Sequence, residues 1–186
     1  MIKRDLTLED NRILLRPMEM EDIPELLAMT SSKEVWKFYT HDLSTHQGFL
    51  DWAEPHFKGE RLQFSITDKL SGLMVGATAF GNFSPRDSRL EIGWTWMGKN
   101  FQGKGINPLV KRLMLAYCFD DLELERVEFK TDVLNVQARK SLKNIGAIEE
   151  GVLRSHTLMT QQRRRDTIYY SILKSEWQFV KRENDW

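Results

Sequence analysis

Cysteine occurs once in 186 residues, as Cys118, so neither an intrachain disulfide nor a cysteine-based zinc cluster can be built. Its neighbours Tyr117 and Phe119 lie in an apolar stretch of helical spacing, where a lone thiol serves as a small core residue. Net charge is lacking too. The 27 Lys and Arg balance the 27 Asp and Glu, so no overall field draws the chain to nucleic acid or to an anionic membrane. The basic run Arg163 to Arg165 reads as a solvated hairpin loop. Long apolar runs are also absent. Five of the first ten residues are charged and no hydrophobic segment follows, so neither a signal peptide nor a membrane span is expected, and the cytoplasm is the expected compartment. His46 and His56 stand too far apart for a helical metal pair, and no metal is expected. Neither repeats nor low-complexity segments interrupt the chain, which at 41% hydrophobic residues can bury a core as one domain over residues 1–186.

The hydrophobic period changes along the sequence. Asn11 to Pro17 alternates as a strand, and Glu19 to Met29 carries Ile23, Leu26 and Leu27 at helical spacing. A second helix is expected over Thr45 to His56, capped by Ser44 or Thr45. Leu62, Phe64 and Ile66 alternate with polar residues, Asp68 to Gly72 is a turn, and Leu73 to Phe80 is a longer strand. A loop over Asn82 to Ser88 precedes the strand Leu90 to Met97. Helix Ile106 to Phe119 tolerates Pro108 because it falls in the first turn. Val127 to Val133 is a strand, and Val136 to Asn144 a helix capped by Asn135 and stopped by Gly146. Strands over Ala147 to Arg154 and Thr167 to Leu173 precede a helical tail at Glu176 to Arg182.

The richest segment runs from Glu91 to Phe119, EIGWTWMGKNFQGKGINPLVKRLMLAYCF. It joins an aromatic strand to a helix through a turn in which Gly103 and Gly105 flank Lys104. Glycines let the backbone approach an oxygen-rich ligand, and the unpaired N–H groups of a helix start carry partial positive charge. A pyrophosphate would fit there, although Gly-x-Gly also occurs as a plain strand-to-helix connection. Gly105 stands where a P-loop needs Ser or Thr, and no third glycine completes a dinucleotide fingerprint.

In order and spacing, EIGWTWM, GKNFQGKG, a helix ending in YCF, RVEFKTDVLN, NVQARKSLKNIGAIEEGVLR and RDTIYYSIL followed by EW resemble the GNAT superfamily of N-acetyltransferases, in particular its RimJ/RimL-like branch. The opening NRILLRPMEMEDIPELLAM extends the likeness to about residues 10 to 180. The resemblance implies an α+β fold, a splayed, mostly antiparallel mixed sheet of about six or seven strands flanked by helices. It implies acetyl-CoA as cosubstrate and direct acetyl transfer to a primary amine, with a protein or peptide N-terminus as one acceptor class. The partners expected are acetyl-CoA and that amine, in a monomer or homodimer. A catalytically silent CoA-binding or sensing module is the rival reading.

By the same resemblance, the pantetheine arm pairs with the strand at Trp96 and Met97, where the sheet opens beside a bulge. Gly93 marks that bulge or relieves crowding around Trp94. The pyrophosphate rests on Gln102, Gly103, Lys104, Gly105, Ile106 and Asn107, with Asn100 and Asn107 standing where the superfamily usually has Gln or Arg and Gly or Ala. Acetyl transfer needs a neutral amine, a donor to the oxyanion and a proton for the thiolate. Glu91 is the candidate base, or a solvent-facing strand-edge carboxylate, and a main-chain N–H at Thr95 or Trp96 is the candidate oxyanion donor. The usual acid positions hold Leu142 in place of Tyr and Ala138 in place of Ser. Ser141, Tyr39 and His41 are what remains nearby. Asn135 caps a helix and can also offer its amide to pantetheine, while Trp36, Tyr39, His41 and Trp94 shape the acceptor groove or, for the aromatics, the core.

Overall fold

The structure, a computed structural model, describes residues 2–186. Among these residues eight strands form one sheet: β1 (Leu8–Glu9), β2 (Ile13–Pro17), β3 (Leu62–Asp68), β4 (Leu73–Ser84), β5 (Arg89–Met97), β6 (Arg126–Asp132), β7 (Ile148–Leu158) and β8 (Arg164–Leu173). Their spatial order is β1-β2-β3-β4-β5-β6-β8-β7, and only β5 and β6 run parallel. The sheet exceeds the expected count because the two-residue β1 adds an edge too short for any periodicity to register. β4 runs on to Ser84, which pairs with Arg89, so half of the expected loop is hairpin.

Among the described residues five α-helices flank the sheet: α1 (Ile23–Ala28), α2 (His46–Phe57), α3 (Ile106–Ala116), α4 (Val136–Asn144) and α5 (Trp177–Glu183). Two of the starts are capped by a side chain. Thr45 Oγ1 accepts the Gly48 N–H at 3.1 Å to cap α2, and Asn135 Oδ1 accepts the Ala138 N–H at 3.1 Å to cap α4. The first helix is shorter than its apolar spacing predicts, because Met20–Asp22 forms a 3-10 turn in which Asp22 returns to the Glu19 N–H at 2.9 Å. Beyond Ala116 the third helix widens into a π-turn at Tyr117–Asp121, so the predicted end at Phe119 is not α-helical.

Two apolar clusters sandwich the sheet. The larger takes Ile13, Leu15, Phe64, Leu90 and Ile92 from the strands and packs them on α3, α4 and α5 through Val110, Met114, Leu142 and Trp177. The smaller gathers Leu26, Trp36, Phe49, Trp52 and Trp96 around α1 and α2. Along β5 the facing reverses: Leu90 and Ile92 belong to the larger cluster, whereas Trp96 enters the smaller and Met97 packs against the larger. One extra residue in a strand does this, because side chains alternate with period two.

Candidate active site

The extra residue sits at Trp94 and Thr95. Ala79 pairs with Gly93 and Ala77 with Trp96, leaving two residues of β5 opposite Thr78. Trp94 takes the left-handed φ of 52°, so the strain falls one residue beyond the glycine the sequence pointed to. Its ring lies over Gly81, where an added Cβ would sit 2.6 Å from the ring atoms.

Beyond the bulge the sheet forks. β5 and β6 pair only through Arg89–Glu91 and Arg126–Glu128, although both strands continue for several residues. The Gly98 N–H bonds to Val75 O at 2.9 Å, so by antiparallel alternation Trp96 turns its main-chain groups to β4, and Thr95 and Met97 turn theirs to the open side. Both outward carbonyls have visitors: the Tyr39 hydroxyl donates to Thr95 O at 3.0 Å, and Gln102 Nε2 donates to Met97 O at 3.1 Å. This corrects the expectation for Trp96, whose N–H faces its sheet neighbour and whose ring is 3% exposed among Trp36, Phe49 and Trp52.

The glycine turn follows. Gly103 and Gly105 hold φ of 73° and 74°, and Gly105 is the N-cap of α3. No heavy atom lies within 4 Å of a Cβ built on either, so the turn is open. The N–H groups of Gly105, Ile106 and Asn107 are first-turn donors with no intrahelical partner, and Pro108 has no N–H to leave unpaired. Lys104 lies 5.7 Å from the Phe101 ring centre. Asn107 gives its side-chain N–H to Ser141 Oγ at 3.1 Å, which joins α3 to α4 and engages the Ser141 hydroxyl.

The closed end of the fork is lined with buried charge. Glu91 is 4% exposed, and its Oε2 accepts Asn82 Nδ2 at 2.6 Å and pairs with Lys130 Nζ at 2.8 Å. The Trp94 ring is flanked by the Arg61 guanidinium at 4.7 Å and Lys130 Nζ at 5.9 Å. Burial brings Arg61 down to about 10, still a cation at neutral pH. Asp132, fully buried, pairs with Arg163, and Arg163 also donates to Lys37 O at 3.3 Å. Buried Arg165 donates to Thr167 Oγ1 at 2.9 Å. Of the basic run, therefore, only Arg164 is solvated as expected, and the flanking arginines point back into the fold.

Lys111 of α3 is the most secluded cation, 4% exposed. Its Nζ donates to Thr95 Oγ1 at 2.8 Å, which is 2.7 Å from Thr78 Oγ1. Burial alone lowers it to about 7. From the N-terminal segment, Tyr39 reaches the bulge, and burial pushes its hydroxyl up to about 12. His41, lowered by burial and then by Arg61, faces the same end. Trp36 gives its Nε1–H to Thr30 O at 2.8 Å and packs edge-on to Tyr39 and Trp96.

Glu91, Trp94 and Thr95 lie on β5, Tyr39 reaches that strand from the N-terminal segment, the glycine turn follows its end, and Ser141 stays on α4. The sequence alone assigns no role at the site to Lys111, Arg61, Lys130, Asp132 or Arg165. For Lys111 a signal exists: Asn107, Lys111 and Leu115 share a helical face, so a lysine stands on a buried stripe. Among the described residues no group of three or more His, Cys, Asp or Glu could hold a metal ion, and no helix is long and apolar enough to cross a membrane.

Comparison with known proteins agrees with this geometry. A family model described as an acetyltransferase (GNAT) domain matches residues 12–148, and the chain belongs to that family of acyltransferases. It is 29% identical over 172 residues to "Putative ribosomal N-acetyltransferase YdaF" of Bacillus subtilis (strain 168), covering 90% of this chain and 93% of that one. "Uncharacterized N-acetyltransferase p20" of Bacillus licheniformis is 30% identical over 176 residues, covering 92% and 98%. The crystal structure of a GCN5-related N-acetyltransferase from Brucella melitensis superposes with a TM-score of 0.89 at 25% identity, over 97% of this chain and 84% of that one. The ribosomal relative agrees with the RimJ/RimL-like order of motifs, and the sheet that forks after a bulge is the GNAT fold that resemblance implied.

Proposed function

We propose that this chain is a cytoplasmic, single-domain enzyme that moves the acetyl group of acetyl-CoA directly to a primary amine, with a protein or peptide N-terminal α-amine as the preferred acceptor. The observation that carries this reading is the alignment of the glycine turn with the fork: free helix N–H groups for a pyrophosphate stand at one end of the open edge of Thr95 and Met97. In this reading the pantetheine arm lies along that edge and the Thr95 N–H receives the oxyanion. Glu91, whose Oε1 is free of Asn82 and Lys130, takes the amine proton through a water. Trp94, Tyr39 and His41 border the acceptor.

The preference for an α-amine follows from protonation. A group near 7.7 to 8 is neutral about one time in ten at pH 7, and a lysine amine near 10.4 about one time in 2,500, a gap worth roughly 3 kcal/mol. The word ribosomal appears in the name of the Bacillus subtilis relative, which makes the N-termini of ribosomal proteins a natural first panel. The test is a screen of amines and peptides by release of free thiol, followed by a peptide carrying both amines and location of the acetyl group by fragmentation mass spectrometry. Predominant acetylation of the α-amine is expected. Predominant ε-acetylation overturns the acceptor class, and CoA binding with no turnover of any amine favours a silent CoA-binding module.

A further inference from the structure

We propose that Lys111 is the proton donor to the thiolate leaving coenzyme A, a role that rests on the acetyltransferase reading above. Asn107 and Lys111 stand one turn apart on the same face of α3. Asn107 reaches Ser141 of α4 and Lys111 reaches Thr95 of β5, so this face spans the floor of the fork. Lys111 Nζ also lies 5.8 Å from the Phe129 ring centre on β6, placing it between the two diverging strands. An ammonium has three donor positions, and here only one has a partner, Thr95. Among the described residues it makes no ion pair.

The other charged and titratable groups of these elements are committed elsewhere. On β5 and β6, Glu91 pairs with Lys130 and Asp132 with Arg163. On α3, Arg112 pairs with Asp10. The Tyr39 hydroxyl is given to Thr95 O and is too weak an acid to serve, at about 12. Lys111, held near neutrality by its burial, has the acidity that proton transfer to a thiolate needs at physiological pH. It fills a gap, since Leu142 and Ala138 carry no proton. In the reaction the amine nitrogen bonds to the carbonyl carbon, the carbon–sulfur bond breaks with its electron pair on sulfur, and a proton passes from Lys111 Nζ to sulfur. The proton shed by the amine leaves by way of Glu91 to water, and Lys111 is recharged from solvent.

K111M and K111R test this. Methionine matches the length of the stem without burying a charge, and arginine keeps the charge yet cannot release its proton. Both should lower kcat by about a hundredfold or more, while CoA affinity by calorimetry stays within about threefold of wild type. A binding readout is independent of turnover: with Lys111 beside the sulfur, ultraviolet thiolate absorbance of bound CoA should emerge at lower pH in the wild type than in K111M. An unchanged kcat in K111M, wild-type turnover in K111R, or identical thiolate titrations in wild type and K111M overturns the proposal. Wild-type enzyme that releases no thiol with any amine overturns the acetyltransferase reading instead.

Discussion

The glycine turn and the closed end of the fork belong to one site and are built on opposite terms. At the turn the working groups are main-chain N–H donors, presented by two left-handed glycines with open space around them. At the fork they are buried side chains, each held by another: Glu91 by Lys130 and Asn82, Asp132 by Arg163, Lys111 by Thr95. Backbone recognition tolerates changes of side chain and fails only when the chain's path changes. A buried polar network behaves in reverse, since removing one member strands another away from water.

The largest effect should come from breaking the fork. Replacing Glu91 with Ala leaves Lys130 and Asn82 unpartnered and should cost about 2–4 kcal/mol, read as a lowered denaturant midpoint. A loss below about 0.5 kcal/mol, the level of an ordinary surface change, would mean the pair is solvated and the contrast is false. Glu91→Gln is the milder version: it should lower turnover chiefly at acidic and neutral pH, with recovery as the amine loses its own proton.

At the turn, Gly105→Val forces a β-branched residue to φ 74° and should cost about 1–2 kcal/mol locally, which corresponds to about fivefold to thirtyfold in CoA affinity by calorimetry. Unchanged affinity in a folded variant would move the pyrophosphate elsewhere.

Stability against pH sharpens the comparison further. Lys111 is lowered to about 7 in the folded chain and stands at its ordinary value when unfolded, so between these limits the unfolded state binds more protons. Wild-type stability relative to K111M should therefore rise with pH from about 7 toward 10 and be flat below 7. Parallel melting curves of the two proteins over that range would show that Lys111 is hydrated. The smallest effect is expected at the exposed Lys104 in the turn. Lys104→Ala should weaken CoA by about threefold or less, as for one exposed charge, and a far larger loss would make the turn a side-chain site after all.

Local chemistry was legible in the sequence wherever one element decides it. The caps at Thr45 and Asn135, the extent of α4, the aromatic strand and the glycine turn all follow from residues within a few positions of one another. The 3-10 segment Lys33–Phe38 and the π-turn at Tyr117–Asp121 escaped, because neither repeats long enough to set a period. Gly93 pointed to the bulge one residue early: a glycine reports that a kink is allowed, whereas pairing with β4 decides that Trp94 takes the strained conformation.

The buried charges mark where the sequence stops. Glu91 and Lys130 lie on strands that pair in parallel for only three residues, and Asp132 meets Arg163 from across the β6–β8 hydrogen-bonded ladder. Lys111 stands along the chain on a helical face that is otherwise apolar toward Leu115, but only the fork above α3 decides that its one partner is Thr95. The sequence by itself determined the family's strand, turn and helix, because hydrogen bonding and chirality act between neighbours. The tertiary structure decided which charges lose water and which partner each then needs, because desolvation depends on everything packed around a group and on nothing in its own short stretch of chain.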